Sequence, residues 1–227
     1  MVRVSTPPAA SYETKELSVT TWPDFERLFS RGNGWDHCWC LAFQLCNRPR
    51  ARTRAEAGIR NHRYKQELLE QGQAHGILVY SGGEPIGWCQ YGPDSELPVS
   101  ADPDSAAAGW RVTCFVVDKR YRRRGVARLA LRAALDSIRR QGGGVVEARP
   151  IAAWTHGPTG TDHPVWVDDV GAVAPAHGSF GNVSTSGTVS MFEKEGFRPV
   201  GVVDGRASAR VRAMGAEGYR VRMRRVI

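Results

Sequence analysis

The sequence contains one dense group of residues suited to binding an anion, a run of arginines that follows an apolar segment. Residues 114–127 read CFVVDKRYRRRGVA, a pattern typical of a strand that turns into a helix at Gly125. The first amides of a helix have no acceptor within it, and the positive end of the helix dipole lies beside them. This predicts a phosphate site, although the charges alone favour a solvated helix start. The turn is neither a Walker loop nor a dinucleotide fingerprint, because it lacks Gly-Lys-Ser/Thr and has a single glycine.

A second cluster of reactive residues lies at 35–46, which reads WDHCWCLAFQLC. The residue types that zinc prefers are present as His37, Cys38, Cys40 and Cys46. Structural zinc sites usually take ligands from two separated arms, whereas these four crowd one stretch, so no metal site is predicted. Trp39 and Phe43 could line an apolar wall for a substrate or fill the core. Core filling is favoured, because large aromatic side chains are usually buried.

The elements that must position these groups begin with a strand and two helices. Residues 1–15 are predicted to be a flexible arm, followed by a strand from Glu16 to Thr20. Pro23 opens a helix whose apolar residues recur at helical spacing until Gly32. Thr53 begins a capping box and a second helix, which runs to about Gln71. A hairpin follows, with strands at His75 to Ser81 and Pro85 to Gln90.

The segment around the arginine-rich turn predicts a βαβ unit. Its parts are a strand from Trp110 to Val117, a helix from Gly125 to Gln141 and a strand from Val145 to Ile151. Such a unit places its two strands parallel. Residues 152–183 then lack any periodicity, and a loop of this length inside a domain predicts a lid or an acceptor-binding loop.

The C-terminal part predicts one short helix and two strands. The helix spans Thr188 to Glu195, and Gly196 suits the left-handed position after it. Strands follow at Pro199 to Val203 and at Tyr219 to Ile227. In the last strand arginines alternate with apolar residues, which predicts a half-exposed edge strand. Without a repeat or a second core, residues 16–227 are expected to form one α/β domain.

Composition excludes several classes of protein. The chain has 227 residues, 41% hydrophobic and 24% charged, and no apolar run of the roughly 20 residues that span a bilayer. It starts without a secretory signal and has five cysteines, so we expect a cytoplasmic protein without a disulfide framework. Among 31 basic residues arginine dominates, which suits phosphate binding or reflects a GC-rich genome. Nucleic-acid binding is not favoured, because only Tyr121 and Tyr219 interleave with the arginines.

Two motifs in this order resemble the GNAT superfamily of N-acetyltransferases. Residues 122–127, RRRGVA, resemble its Q/R-x-x-G-x-G/A pyrophosphate motif and lie between a strand and a helix, as in that family. Residues 189–197, VSMFEKEGF, resemble its late helix, which ends Y-E-K-x-G-F. The segment CWCLAF resembles a signature of a bacterial GNAT-like subgroup. The resemblance is firm for residues 110–201 and implies a mixed central sheet with helices on both faces.

The resemblance implies acetyl-CoA as the acyl donor. The strand ending at Val117 would splay from its neighbour and pair with pantetheine, and an amide near Val117 would polarise the thioester carbonyl. Amides of the turn would cradle the pyrophosphate, with arginine side chains on its oxygens or on the 3′-phosphate. The residues placed at the cofactor in this way are Phe115, Val116, Val117, Arg122, Arg123, Arg124, Gly125, Val126, Ala127, Arg128 and Phe192.

The resemblance does not by itself assign the residues that accept and donate protons. The acceptor amine must lose a proton, and the predicted base is Glu147 on the strand beside the cleft, although an outward-facing Glu147 fits strand alternation equally. The tyrosine that many relatives use as acid is Phe192 here, so Ser190, a water or no acid must serve. Other bases in the long loop stay open: Asp168, Asp169, His156, His163 and His177.

The sequence therefore predicts an N-acetyltransferase in which a primary amine attacks acetyl-CoA directly in a ternary complex. A small-molecule acceptor, including an antibiotic, is favoured over a protein lysine or peptide N-terminus, because the long loop indicates an enclosed site. The alternative is a non-catalytic regulator that binds acyl-CoA, which Phe192 motivates. The oligomeric state is left open, with a homodimer as one option.

Overall fold

A computed structural model of the protein describes residues 11–32, 35–44, 51–98, 109–154, 187–203 and 217–227. Within these ranges the elements are β1 (Tyr12–Glu16), α1 (Trp22–Phe29), α2 (Arg54–Glu70), β2 (His75–Ser81), β3 (Glu84–Pro93), β4 (Trp110–Val117), α3 (Val126–Arg140), β5 (Val145–Ala148), β6 (Ile151–Trp154), α4 (Val189–Glu193), β7 (Arg198–Val203) and β8 (Glu217–Val226).

The strands form one mixed sheet. Its order runs β1-β2-β3-β4-β5-β8, with β5 and β6 along one edge of β8 and β7 along the other. The strands β4 and β5 are parallel, which confirms the βαβ prediction, and the other pairs are antiparallel.

Helices cover both faces of the sheet, as expected. On one face α3 packs its apolar stripe, including Ala130, Leu131 and Ile138, against β2, β3 and β4. On the other face α1 buries Phe25 and Phe29 against Trp88 of β3. Each face of the sheet therefore contacts its own hydrophobic core, and the sheet separates the two cores.

The first strand is shifted from its predicted place. It spans Tyr12–Glu16 rather than residues 16–20, so residues 12–15 pair with β2 instead of belonging to a flexible arm. The reason is local hydrogen bonding, since Ser18 and Thr21 form a turn in which the Ser18 amide donates to Thr21 Oγ1 at 2.8 Å. This turn takes up the residues that were expected to continue the strand and leads into α1.

The last strand is not at the edge of the sheet, which corrects the prediction for residues 219–227. It lies between β5 and β7, and β7 occupies the outer position. The alternation of arginine with apolar residues has another cause. Val221 and Met223 enter the core on the α3 face, while Arg224 points to a buried carboxylate on the opposite face.

The strand predicted at residues 145–151 is interrupted. It forms β5 and β6 with Arg149 and Pro150 between them, so residues 152–154, predicted as the start of the long loop, belong to β6. Residues 155–183 of that loop lie outside the described residues. None of the helices in the described ranges has the length and apolar character needed to cross a membrane.

Candidate active site

The strands β4 and β5 form a fork. They pair only through Trp110, Arg111 and Val112 of β4. Beyond this point β4 stays paired with β3, and β6 pairs with β8. Among the described residues, no strand pairs with the second edge of residues 114–117. The predicted splay of this strand is therefore present, and its open backbone groups could pair with an extended ligand.

Two local features produce the fork. In β4 an extra residue, Thr113, falls between the partners of Gln90 and Tyr91, and such a bulge bends a strand. On the other side Pro150 interrupts the strand because it has no amide hydrogen. Its carbonyl instead accepts a hydrogen bond from the Val221 amide at 3.0 Å, which keeps the chain beside β8.

The turn after β4 presents backbone amides at the open end of the fork. Asp118 accepts a hydrogen bond from the Arg120 amide at 2.9 Å and begins a short 3-10 turn. Arg123 and Gly125 follow in left-handed conformations, with φ of 61° and 79°. The helix α3 then starts at Val126 without a side-chain cap. Its first amides therefore need an acceptor from outside the helix, as an anion would provide.

Gly125 has a conformational role and borders open space. A β-carbon built there would meet no atom within 4 Å, so the glycine is not required by packing. The left-handed backbone requires it, because residues with a β-carbon are strained there. The open space beside it adjoins the start of α3.

The arginines in and after the turn differ in what their guanidinium groups contact. Arg122, Arg123 and Arg124 are exposed, and Arg122 Nε donates to the Val117 carbonyl at 3.3 Å. Arg128 was predicted as a further phosphate ligand, but its guanidinium pairs with Glu195, which also binds Arg132 at 2.8 Å. As placed, Arg128 joins α3 to the end of α4 rather than pointing to the turn.

Phe192 supports β4 from within the core. It is fully buried, with its ring 6.1 Å from that of Phe115 and 5.0 Å from that of Phe197 between centres. Phe192 therefore packs against β4 in the hydrophobic core on the α3 face of the sheet. Its predicted contact with the cofactor stays a prediction. Ser190 is half-buried, with its hydroxyl oxygen 3.5 Å from that of Thr188, the residue that caps α4.

Glu147 occupies the closed end of the fork, opposite Arg111. It is 1% exposed and binds three guanidinium groups: Arg111 at 2.8 Å, Arg149 at 2.8 Å and Arg224 at 2.9 Å. Burial alone would raise the pKa of Glu147, but the hydrogen bonds from Arg149 and Arg224, together with the charges of Arg149 and Arg111, outweigh it and lower the pKa. A carboxylate held in this way is a weak base, so the geometry does not support the predicted general base at Glu147.

Trp39 belongs to the core of the α1 face. It is 6% exposed, and its ring stacks on Phe29 at 5.7 Å and meets His62 edge-on at 4.7 Å. Phe43 is partly buried against the same cluster. For Trp39 the structure thus agrees with the core-filling alternative rather than with an acceptor wall.

Sequence reasoning missed a buried polar chain that leads to the bulge in β4. Lys65 is fully buried in α2 and donates to Gln44 Oε1 at 2.6 Å. Gln44 in turn accepts from Gln90 at 3.2 Å, and Gln90 accepts from Thr113 at 3.1 Å. Burial lowers the pKa of Lys65 to about 8. One signal was available, since Lys65 lies four residues before the buried Leu69 and so on the same helix face.

The alternative bases in the long loop lie outside the described residues. They are His156, His163, Asp168, Asp169 and His177. The fork thus leaves an open strand edge that leads into the uncapped amides at the start of α3.

Comparison with known proteins assigns this architecture to a family. The family model described as "Acetyltransferase (GNAT) family" matches residues 21–154, more than half of the chain. The chain thus belongs to the GNAT acetyltransferase family and is an acyltransferase that uses acyl-CoA. No curated protein matches its sequence.

Solved structures show the same fold at low sequence identity. An N-acetyltransferase from Staphylococcus aureus Mu50 is similar with a TM-score of 0.52 and 10% identity, covering 96% of this chain and 99% of that chain. A GNAT-family acetyltransferase from Desulfovibrio desulfuricans is similar with a TM-score of 0.50 and 15% identity, covering 95% and 99%. At such identities the likeness concerns the fold alone.

Proposed function

We propose that the protein transfers an acetyl group from acetyl-CoA to the primary amine of a small molecule or peptide, by direct attack within a ternary complex. The observation that carries this proposal is the continuity of one strand with one turn. The open edge of β4 leads directly into the amides at Gly125 and the start of α3. A ligand with an extended arm and a pyrophosphate fits that order.

The donor would be held by backbone groups and oriented by charge. Pantetheine would pair with the edge at residues 114–117, and the pyrophosphate would accept hydrogen bonds from the amides of residues 123–127. An amide near Val117 would then donate to the thioester carbonyl and stabilise the negative charge that develops on its oxygen. Arg122 and Arg124 lie beside this turn and would add electrostatic attraction.

The transfer itself needs the amine in its neutral form. Its nitrogen would attack the thioester carbon, the carbon–sulfur bond would break, and CoA would leave as a thiolate. Phe192 has no proton to give, so a water or Ser190 would protonate the thiolate. The proton of the amine would pass to a group of the long loop or to a water, since Glu147 is held by three arginines.

The alternative of a non-catalytic acyl-CoA binder, which Phe192 motivated, does not hold, because the chain belongs to a family of acetyltransferases. Phe192 occupies the position of the expected tyrosine and is fully buried, so it bears on how the thiolate is protonated and not on whether transfer occurs.

Turnover of acetyl-CoA with a panel of amines tests the proposal. Release of free CoA thiol is measured with and without each amine, and binding of acetyl-CoA is measured by calorimetry. At least one amine should accelerate CoA release above hydrolysis. Binding without acceleration by any amine would contradict the proposed transfer to an amine, and absence of binding would contradict the donor site as well.

A further inference from the structure

Two cysteines that are distant in sequence meet in the core between the sheet and the α1 face. Cys40 and Cys114 are separated by 74 residues, and their sulfur atoms lie 3.0 Å apart. Both are buried, with 2% and 5% of their surfaces exposed. A disulfide has a sulfur–sulfur distance of about 2.05 Å, so the two atoms need to approach by roughly 1 Å to bond.

The chain around Cys40 holds a strained conformation. Trp39 and Cys40 are consecutive non-glycine residues in the left-handed region, with φ of 51° and 48°. Such conformations persist only where the surroundings enforce them. Here the stacking of Trp39 on Phe29 holds the turn against the core, so that Cys40 faces the sheet.

Cys114 lies on the strand that forms the fork. It follows the bulge residue Thr113 and begins the part of β4 whose second edge is open. A bond between the two sulfur atoms would therefore tie residues 38–40 to the strand that borders the candidate donor site.

A buried ammonium group accompanies the pair. The positive charge of Lys65 favours the thiolate of Cys40, whereas burial, the larger effect, raises the pKa of that thiol. The Cys40 thiol is thus mostly protonated at neutral pH, and its oxidation should be slower than that of an exposed thiolate. Cys89 is equally buried but belongs to the core cluster of the α3 face, so it is a matched control.

We propose that Cys40 and Cys114 are a redox modification site that forms a reversible intramolecular disulfide when a peroxide oxidises the protein. The peroxide first converts one thiol to a sulfenic acid and releases water. The second thiol then displaces the sulfenic oxygen as a second water and closes the bond between the sulfurs. Two thiols lose two electrons, which reduce the peroxide, and a thiol reductant restores the pair. This inference does not depend on the proposed acetyl transfer.

Mass spectrometry of the oxidised chain tests the bond directly. The reduced full-length protein is treated with hydrogen peroxide, denatured in an alkylating reagent and digested. A peptide that links Cys40 to Cys114 should form in the wild type and in Cys89→Ala, and should be absent from Cys40→Ala and Cys114→Ala. Oxidation of the half-buried Cys38 shows that the peroxide treatment was sufficient. If Cys38 is fully oxidised while Cys40 and Cys114 are both alkylated, the proposal is overturned. Links between other cysteines only would overturn it as well.

Thermal unfolding tests whether the bond forms in the folded protein. Closing a loop of this length should raise Tm by about 5 °C or more. The rise should appear in wild type and Cys89→Ala, vanish with a thiol reductant, and be absent from Cys40→Ala and Cys114→Ala. Equal Tm values for the linked and reduced wild type would overturn the assignment of the bond to the native core.

Discussion

Two arginine-rich regions lie at opposite ends of the fork, and they differ in what balances their charge. At the open end Arg122 and Arg124 are exposed beside helix amides that have no side-chain cap. At the closed end Arg111, Arg149 and Arg224 surround Glu147, which is 1% exposed. A cluster of arginines therefore does not by itself mark a ligand site. The open end can still accept an anion, whereas a protein carboxylate already occupies the closed end.

The largest effect is expected at the open end of the fork, from Gly125→Glu. The left-handed backbone disfavours a side chain, and the new carboxylate would repel phosphate, so affinity for acetyl-CoA should fall by about 100-fold or more. Calorimetry with acetyl-CoA measures this loss.

A matched control is Gly72→Glu, because Gly72 is also left-handed and also borders open space, after α2 rather than before α3. This variant should bind acetyl-CoA as the wild type does. If a folded Gly125→Glu protein kept its full affinity, the donor site would not be at this turn.

At the closed end, Glu147→Gln should reduce stability rather than alter catalysis. Removing one partner of a buried ion cluster leaves its charges uncompensated, at a cost of about 3 kcal/mol in the free energy of unfolding. Urea denaturation measures this change. The control is Glu67→Gln, whose ion pair with Arg63 is exposed and should contribute below about 1 kcal/mol.

The pH–rate profile of the Glu147→Gln enzyme separates the two roles considered for this residue. A structural role in the buried ion cluster leaves the profile unchanged, since Glu147 would not exchange a proton with the amine. A decrease in kcat that shrinks as the pH rises would restore Glu147 as the general base.

Acid should remove the contribution of Glu147 to stability. Its pKa is lowered in the folded protein from the ordinary 4.5, so the contribution is complete above that value and is lost as the pH falls through the lower, folded value. The difference in unfolding free energy between wild type and Glu147→Gln should therefore be constant near neutral pH and decrease below about pH 4.5. A difference that stayed constant down to pH 2 would show that the cluster does not depend on the charge of Glu147.

The smallest expected effect is the dependence of ligand affinity on salt. Exposed guanidinium groups attract phosphate through charges that salt screens, whereas an amine pocket depends mostly on shape and hydrogen bonds. Affinity for acetyl-CoA should therefore fall more steeply with ionic strength than affinity for an acceptor found in the turnover assay. Equal slopes would indicate that the arginines of the turn do not hold phosphate.

Elements that depend on interactions between nearby residues were predictable from the sequence, whereas the place of a strand that pairs with distant residues was not. The helix at residues 126–140 and the hairpin of β2 and β3 depend on nearby residues, and the sequence predicted both within a few positions. The predicted edge strand failed, because the place of β8 depends on pairing with β5 and β7 at distant positions. An alternation of charged and apolar residues shows that one face is buried, but it does not show what covers the other face.

The candidate site likewise has one part that the sequence predicted and another that depends on distant contacts. From the sequence alone came the strand, the glycine turn and the helix start at residues 114–127, because a run of neighbouring residues produces the amides that an anion needs. Only the tertiary structure decided the state of Glu147, Lys65 and the Cys40–Cys114 pair. Each is surrounded by groups from distant parts of the chain, and burial together with those neighbours determines its charge and reactivity.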